Sequence, residues 1–245
     1  MKNRLMCHLI AGYPGMEESY NIARTIAEAG SAYIEVQFPF SDPSADGPVI
    51  QAACTKALEN GFTVRKGFEL VKRISSEFDI PVFIMSYSTI ACRHGIESFI
   101  EKSKEAGASG LIIPDLLPPD DEGLFEKAEK AGMPAVPVFP VSILPERLEI
   151  IKSLKAEYIY VALRRGITGK KTEISEDQIS FLEGLRNTGA KILAGFGIRD
   201  RDQVDAVVPH VDAAIIGSEL VRTIGDAGDG YEPALRKKLE SLIGK

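Results

Sequence analysis

The chain has only three cysteines, Cys7, Cys54 and Cys92. That odd number, without a C-x-x-C spacing, excludes a disulfide framework and predicts three unlinked thiols in a reducing compartment. Its three histidines, His8, His94 and His210, lie far apart and form neither H-x-H nor H-E-x-x-H, so no metal site is expected on them. No run of about 20 apolar residues is present to span a bilayer. The apolar run at 5–10, behind Lys2 and Arg4, is too short for a secretory signal. A soluble, cytoplasmic protein is the expectation. Positive charge is in the minority, with 29 Lys and Arg against 35 Asp and Glu and a net charge of −6. Nucleic acid and anionic membrane are therefore excluded as expected partners. Low-complexity tracts are missing too, and 44% hydrophobic with 26% charged residues is the balance of a globular chain with a sizeable core.

What is present is a repeat of short apolar runs alternating with amphipathic stretches. Strands are predicted at 5–10, 33–36, 82–85, 110–113, 135–138, 158–162, 191–194 and 213–216. Between them, apolar residues at i, i+3, i+4 spacing predict helices at 19–29, 67–77, 96–106, 123–131, 145–154, 175–186 and 201–208. A short helix begins near Glu219 and a last one covers 233–243. Gly30, Gly107, Gly132 and Gly189 stand where a left-handed residue closes a helix. Eight strand–helix units of about 30 residues predict a parallel sheet covered on both faces. An open doubly wound sheet is the competing arrangement, but the first strand is followed by Ala11-Gly12-Tyr13-Pro14-Gly15, which lacks G-x-G-x-x-G. The expected fold is α/β, a (β/α)8 TIM barrel, with residues 1–245 forming a single domain. A barrel of this kind takes about 250 residues.

A barrel builds its active site on the loops after the carboxyl ends of its strands. The most polar such stretch is 33–48. Alternation along the strand puts Tyr33, Glu35 and Gln37 on one face and Ile34 and Val36 on the other. With the apolar pair toward the helices, Glu35 points into the barrel mouth, where partial desolvation would raise its pKa and suit it to general acid–base work. Asp46 lies eleven residues on, in a loop that Pro43 and Pro48 stiffen without regular structure; Asp42 and Asp46 read more readily as caps than as site residues. Three consecutive strands, at 158–162, 191–194 and 213–216, run into glycine: Gly166 and Gly169, Gly195 and Gly197, and Gly217 before Ser218. Glycine loops beside the start of a helix predict a phosphate site made of backbone N–H groups and the helix dipole. Tyr87, Ile112, Tyr160 and Phe196 could form a flat apolar pocket between the acids and those loops, or belong to the core. Asp115, closing the fourth strand, could line the mouth or act as a cap. Arg164 and Arg165 could neutralise a phosphate or be solvated.

At these residues the sequence resembles the tryptophan synthase alpha chain family. The motif E-L-G-x-P-F-S-D-P-x-A-D-G-P stands here as Glu35 to Pro48, departing at Val36 and Gln37. G-L-I-I-P-D-L is Gly110 to Leu116, the G-V-T-G loop is Gly166 to Gly169, G-F-G-I is Gly195 to Ile198, and I-x-G-S is Ile215 to Ser218. The resemblance covers nearly the whole chain in order. It implies a (β/α)8 barrel that cleaves indole-3-glycerol phosphate to indole and glyceraldehyde 3-phosphate in tryptophan biosynthesis, a lyase with no metal or organic cofactor. It also implies Glu35 as catalytic acid/base and Asp46 as the second catalytic carboxylate, on the indole N–H. The phosphate falls on Gly169, Gly197, Gly217 and Ser218, the indole near Ile112, Tyr160 and Phe196, and Thr168 on a loop that closes over the site. The implied partner is a tryptophan synthase beta chain in an α2β2 tetramer. Gln37 replaces a glycine of the motif beside Glu35. Thr89 stands where Asn is usual, on the family's beta-chain contact surface. Those departures leave room for a free-standing lyase, a barrel acting on another phosphorylated substrate, or a non-catalytic regulatory partner.

Overall fold

A computed structural model describes residues 3–163, 175–195 and 197–244. Its strands are β1 (Leu5–Ile10), β2 (Tyr33–Gln37), β3 (Val82–Met85), β4 (Gly110–Ile112), β5 (Ala135–Val136), β6 (Val138–Pro140), β7 (Tyr158–Ala162), β8 (Lys191–Gly195) and β9 (Ala213–Ile216). Every pairing is parallel, in the order β5-β4-β3-β2-β1-β9-β8-β7-β6.

The two ends of that order, β5 and β6, are neighbours in sequence with only Pro137 between them. Proline has no N–H to give to a ladder, so one stave is split rather than two edges left open. The Pro137 carbonyl still accepts from the Tyr160 N–H at 3.0 Å. The sheet closes through this residue into the expected eight-stave (β/α)8 barrel. The fifth stave runs on to Pro140, past the expected end at 138.

Side chains alternate as a barrel requires. Leu5, Cys7, Leu9, Ile34, Val36, Val82, Ile84 and Leu111 point outward into one large buried layer beneath the helices. Met6, Phe83, Met85, Ile112, Tyr158, Tyr160, Leu193 and Ile215 point inward. Toward the amino ends of the strands, Tyr33, Phe83 and Tyr158 pack edge to face, with centroids 5.0–6.1 Å apart, and the Lys191 ammonium lies 4.6 Å from the Tyr158 ring centroid. These groups fill the base of the barrel. Among the described residues no helix precedes β1.

Two helices escape the sequence pattern: Pro48–Glu59 and Ser88–His94. Proline at the first helical position is pre-set for helix and needs no N–H partner, so Pro48 opens a helix where a stiff irregular loop was expected. Asp115 is an external cap for the other helix. Its carboxylate accepts from the Ser88 N–H at 2.9 Å and the Ser88 hydroxyl at 2.6 Å, and it is exposed rather than lining the mouth. The three cysteines are free. No helix among the described residues is long and apolar enough to cross a membrane.

Candidate active site

The inward face of β2 carries Glu35 and Gln37, both buried. On β1 the same alternation sends Leu5, Cys7 and Leu9 outward and His8 inward, and the parallel register sets His8 beside Glu35. Their side chains meet, with His8 Nδ1 2.7 Å from Glu35 Oε2. Burial pushes the imidazole toward neutrality, but the Glu35 charge and hydrogen bond outweigh it, and the His8 pKa lies above its usual value.

Asp46 is tied to the same face from the loop beyond β2. Its Oδ2 accepts from the Tyr87 hydroxyl at 2.7 Å and from Gln37 Nε2 at 2.8 Å, and its carbonyl accepts from Gln51 Nε2 at 2.8 Å. The cap of the helix Pro48–Glu59 is Gly47, so the Asp46 carboxylate is free of that duty and turns inward. Burial raises its pKa; the Tyr87 and Gln37 hydrogen bonds and the His8 charge oppose the shift, while the Glu35 charge adds to it. Tyr87 is held as the neutral phenol by burial and by the Asp46 charge.

At the far side, β9 ends at Ile216 and the helix Ser218–Ala227 starts immediately. The first N–H groups of a helix have no intrahelical acceptor and lie at the positive end of its dipole. Glu219 in that first turn would repel an anion, but it is paired with Arg222 at 2.6 Å and Lys238 at 2.8 Å. Gly197, after β8, has φ +93°, a conformation suited to glycine. Gly195 is required by packing, since a Cβ there would sit 2.7 Å from the Ile215 Cβ.

One cavity gathers these parts. It is lined by Glu35, Asp46, Ile112, Tyr160, Gly197, Gly217 and Ser218, with His8 beside them. Seven sequence-derived candidates thus meet in one place, while Thr168, Gly169 and Phe196, with Arg164 and Arg165, lie outside the described residues. No lysine or arginine among the described residues lines the cavity. Among the described residues an anion there would meet backbone N–H groups, the Ser218 hydroxyl and the positive end of the helix dipole. No cluster of three or more His, Cys, Asp or Glu among the described residues could hold a metal. Sequence reasoning missed three polar members: His8, Gln37 as a partner of Asp46, and the Tyr87 hydroxyl. The inward parity of His8 on β1 was the available signal.

A model of the tryptophan synthase alpha chain family matches residues 1–244. The chain belongs to the tryptophan synthase alpha chain family. The alpha chain of Helicobacter hepaticus is 38% identical over 232 residues, covering 92% of this chain and 87% of that one. That of Syntrophotalea carbinolica is 34% identical over 239 residues, covering 97% and 93%. A solved structure described as the tryptophan synthase α2β2 complex of Pyrococcus furiosus superposes with a TM-score of 0.91 at 30% identity, over 99% of this chain and 98% of that chain. A Mycobacterium tuberculosis tryptophan synthase structure superposes at 0.89 with 28% identity, over 99% and 92%. As an alpha chain the protein is a lyase of tryptophan biosynthesis.

Proposed function

We propose that the cavity carries out the alpha-chain reaction, retro-aldol cleavage of indole-3-glycerol phosphate to indole and glyceraldehyde 3-phosphate, with Glu35 as general acid and base. The chemistry needs a proton delivered to indole C3, which makes an indolenine whose bond to the glycerol carbon can break. It also needs a proton removed from the adjacent hydroxyl as the aldehyde forms. A single buried carboxyl can give the first proton and take the second. Asp46, in its ionised form, accepts the indole N–H and stabilises positive charge developing on that nitrogen. Two neutral hydrogen-bond donors and the nearby imidazole favour that ionised form against burial. Ile112 and Tyr160 flank the indole. Gly197, Gly217 and Ser218 hold the phosphate and fix the register of the reacting bond, and Thr168, Gly169 and Phe196 are assigned to the same substrate by the family motif.

The observation that carries this reading is the convergence of two buried carboxylates and a helix start on one cavity. Incubating the purified chain with indole-3-glycerol phosphate should release indole and glyceraldehyde 3-phosphate in equal amounts. Failure of both products to appear, with or without a beta chain, would overturn it.

The partner proposed is a tryptophan synthase beta chain in an α2β2 assembly, supported by the likeness to the Pyrococcus furiosus complex. Thr89 is exposed on the helix Ser88–His94, where a partner could meet it. Indole release should accelerate when a beta chain is titrated in. A rate indifferent to the titration would favour a free-standing lyase.

A further inference from the structure

We infer that His8 is a positioning residue that stores the proton Glu35 uses, so that the working acid is the Glu35–His8 pair rather than Glu35 alone. The inference rests on the assignment of Glu35 made above and deepens it. An isolated carboxyl ionises near pH 4.3, and at neutral pH it would have no proton to give to carbon. In this site the carboxylate does not stand alone. His8 Nδ1 lies 2.7 Å from Oε2, both groups are buried, and the ladder register holds the two residues side by side on adjacent strands. Two packed strands therefore fix this contact, and side-chain rotation alone does not set it.

The pair shares one proton. At rest the proton sits on the ring, and the imidazolium Nδ1–H donates to the Glu35 carboxylate. As cleavage begins, the proton passes from Nδ1 to Glu35 and from Glu35 to indole C3, leaving a neutral ring and a carboxylate. When the carbon–carbon bond breaks, its electron pair returns to the indole ring. The carboxylate then takes the proton of the adjacent glycerol hydroxyl as that oxygen becomes the aldehyde. One proton leaves the pair and one returns, so nothing is consumed.

The groups facing His8 are consistent with this role. Glu35 from β2 and Asp46 from the following loop both favour the charged ring, and the nearby Gln37 side chain acts in the same direction. Tyr160 from β7, and Gly217 and Ser218 at the start of the helix Ser218–Ala227, line the same cavity and bring no cation. Gln37 and Tyr87 donate to Asp46 while His8 holds Glu35, so each of the two carboxylates has its own partners around the shared cavity. Burial, which alone would strip the ring of its proton, is overcome by the carboxylates.

The test is the pH dependence of kcat for the full chain with His8→Gln, which keeps a donor toward Glu35 and holds no titratable proton. The variant should lose about tenfold or more in kcat at pH 8, less than the roughly 10²–10⁴-fold of a group that itself transfers the proton to substrate. Its alkaline limb should move down by at least one pH unit, with binding of glycerol phosphate unchanged. A pH profile within twofold of the parent, alongside an inactive Glu35→Gln, would overturn the role of His8 and leave the Glu35 assignment standing. Normal turnover by Glu35→Gln would instead remove the assignment itself. Should His8→Gln fail to fold, NMR titration of the imidazoles decides. His8 should stay protonated above pH 6.5 in the parent and lose its proton at lower pH in Glu35→Gln, whereas a ring neutral at pH 6 in the parent overturns the inference.

Discussion

The Tyr87 hydroxyl, at the end of β3, donates to Asp46 Oδ2 at 2.7 Å and pins the acidic loop against the barrel mouth. The ring itself is buried and packs 5.7 Å from Phe40, centroid to centroid, so both ends of the side chain hold that loop. Replacing Tyr87 by Phe keeps the packing and removes one donor from a buried carboxylate. The expected destabilisation is about 1–3 kcal/mol in urea unfolding. Indole release should also fall, because Asp46 loses one of the bonds that favour its ionised form. Parent-like stability and turnover in Tyr87→Phe would show the bond to be idle.

Glu35→Gln keeps the shape and removes the transferable proton. Indole release should drop by roughly 10²–10⁴-fold. Glycerol phosphate, which needs only the cradle around Gly217 and Ser218, should bind as before in calorimetry.

Stability should depend on pH through His8, whose folded pKa is raised. The folded state then holds the proton more tightly than the unfolded chain. The stabilisation is complete below about pH 6.5, the unfolded value, and is lost as pH rises through the folded pKa. Denaturant melts of His8→Gln should therefore fall furthest below the parent in acid and approach it in alkali; a constant gap from pH 5 to 9 would contradict the shift.

Two glycines should respond in opposite directions to alanine. At Gly195 a Cβ would lie 2.7 Å from the Ile215 Cβ and 3.0 Å from its carbonyl oxygen, so strand backbone must move. Gly195→Ala should destabilise by about 1–3 kcal/mol. At Gly184, exposed within the helix Glu176–Leu185, nothing lies within 4 Å. Gly184→Ala should stabilise by about 0.5–1 kcal/mol. Thermal melts of the two variants read both signs.

Asp115→Ala removes both hydrogen bonds from Ser88 and should cost about 1 kcal/mol, as loss of a helix cap does. Cleavage should persist, since Asp115 is exposed and does not line the cavity. A large kinetic loss at unchanged stability would return Asp115 to the site.

Much of this protein is written locally. Apolar runs such as Leu5–Ile10 and Tyr158–Ala162 become strands because a parallel barrel buries both faces, and helices stop at Gly132 and Gly189 because each must turn left-handed there. Parity within β2 was enough to send Glu35 inward. The fold class, and the gathering of Glu35, Asp46 and Ser218 at the carboxyl ends of the strands, follow from that pattern. Contacts between strands do not. The period-two rule gives His8 a face but no neighbour, and only the register of β1 on β2 sets it against Glu35. By sequence Asp46 reads more readily as a cap than as a cavity residue, but Gly47 takes the cap and Tyr87 and Gln37 supply the Asp46 carboxylate with its bonds. Pro137 reads as an interruption in sequence, and closure of the sheet makes it the middle of a stave. Hydrophobic period and turn chemistry act over a few residues, whereas the partner of a buried charge is chosen by chain segments that meet only when the barrel shuts.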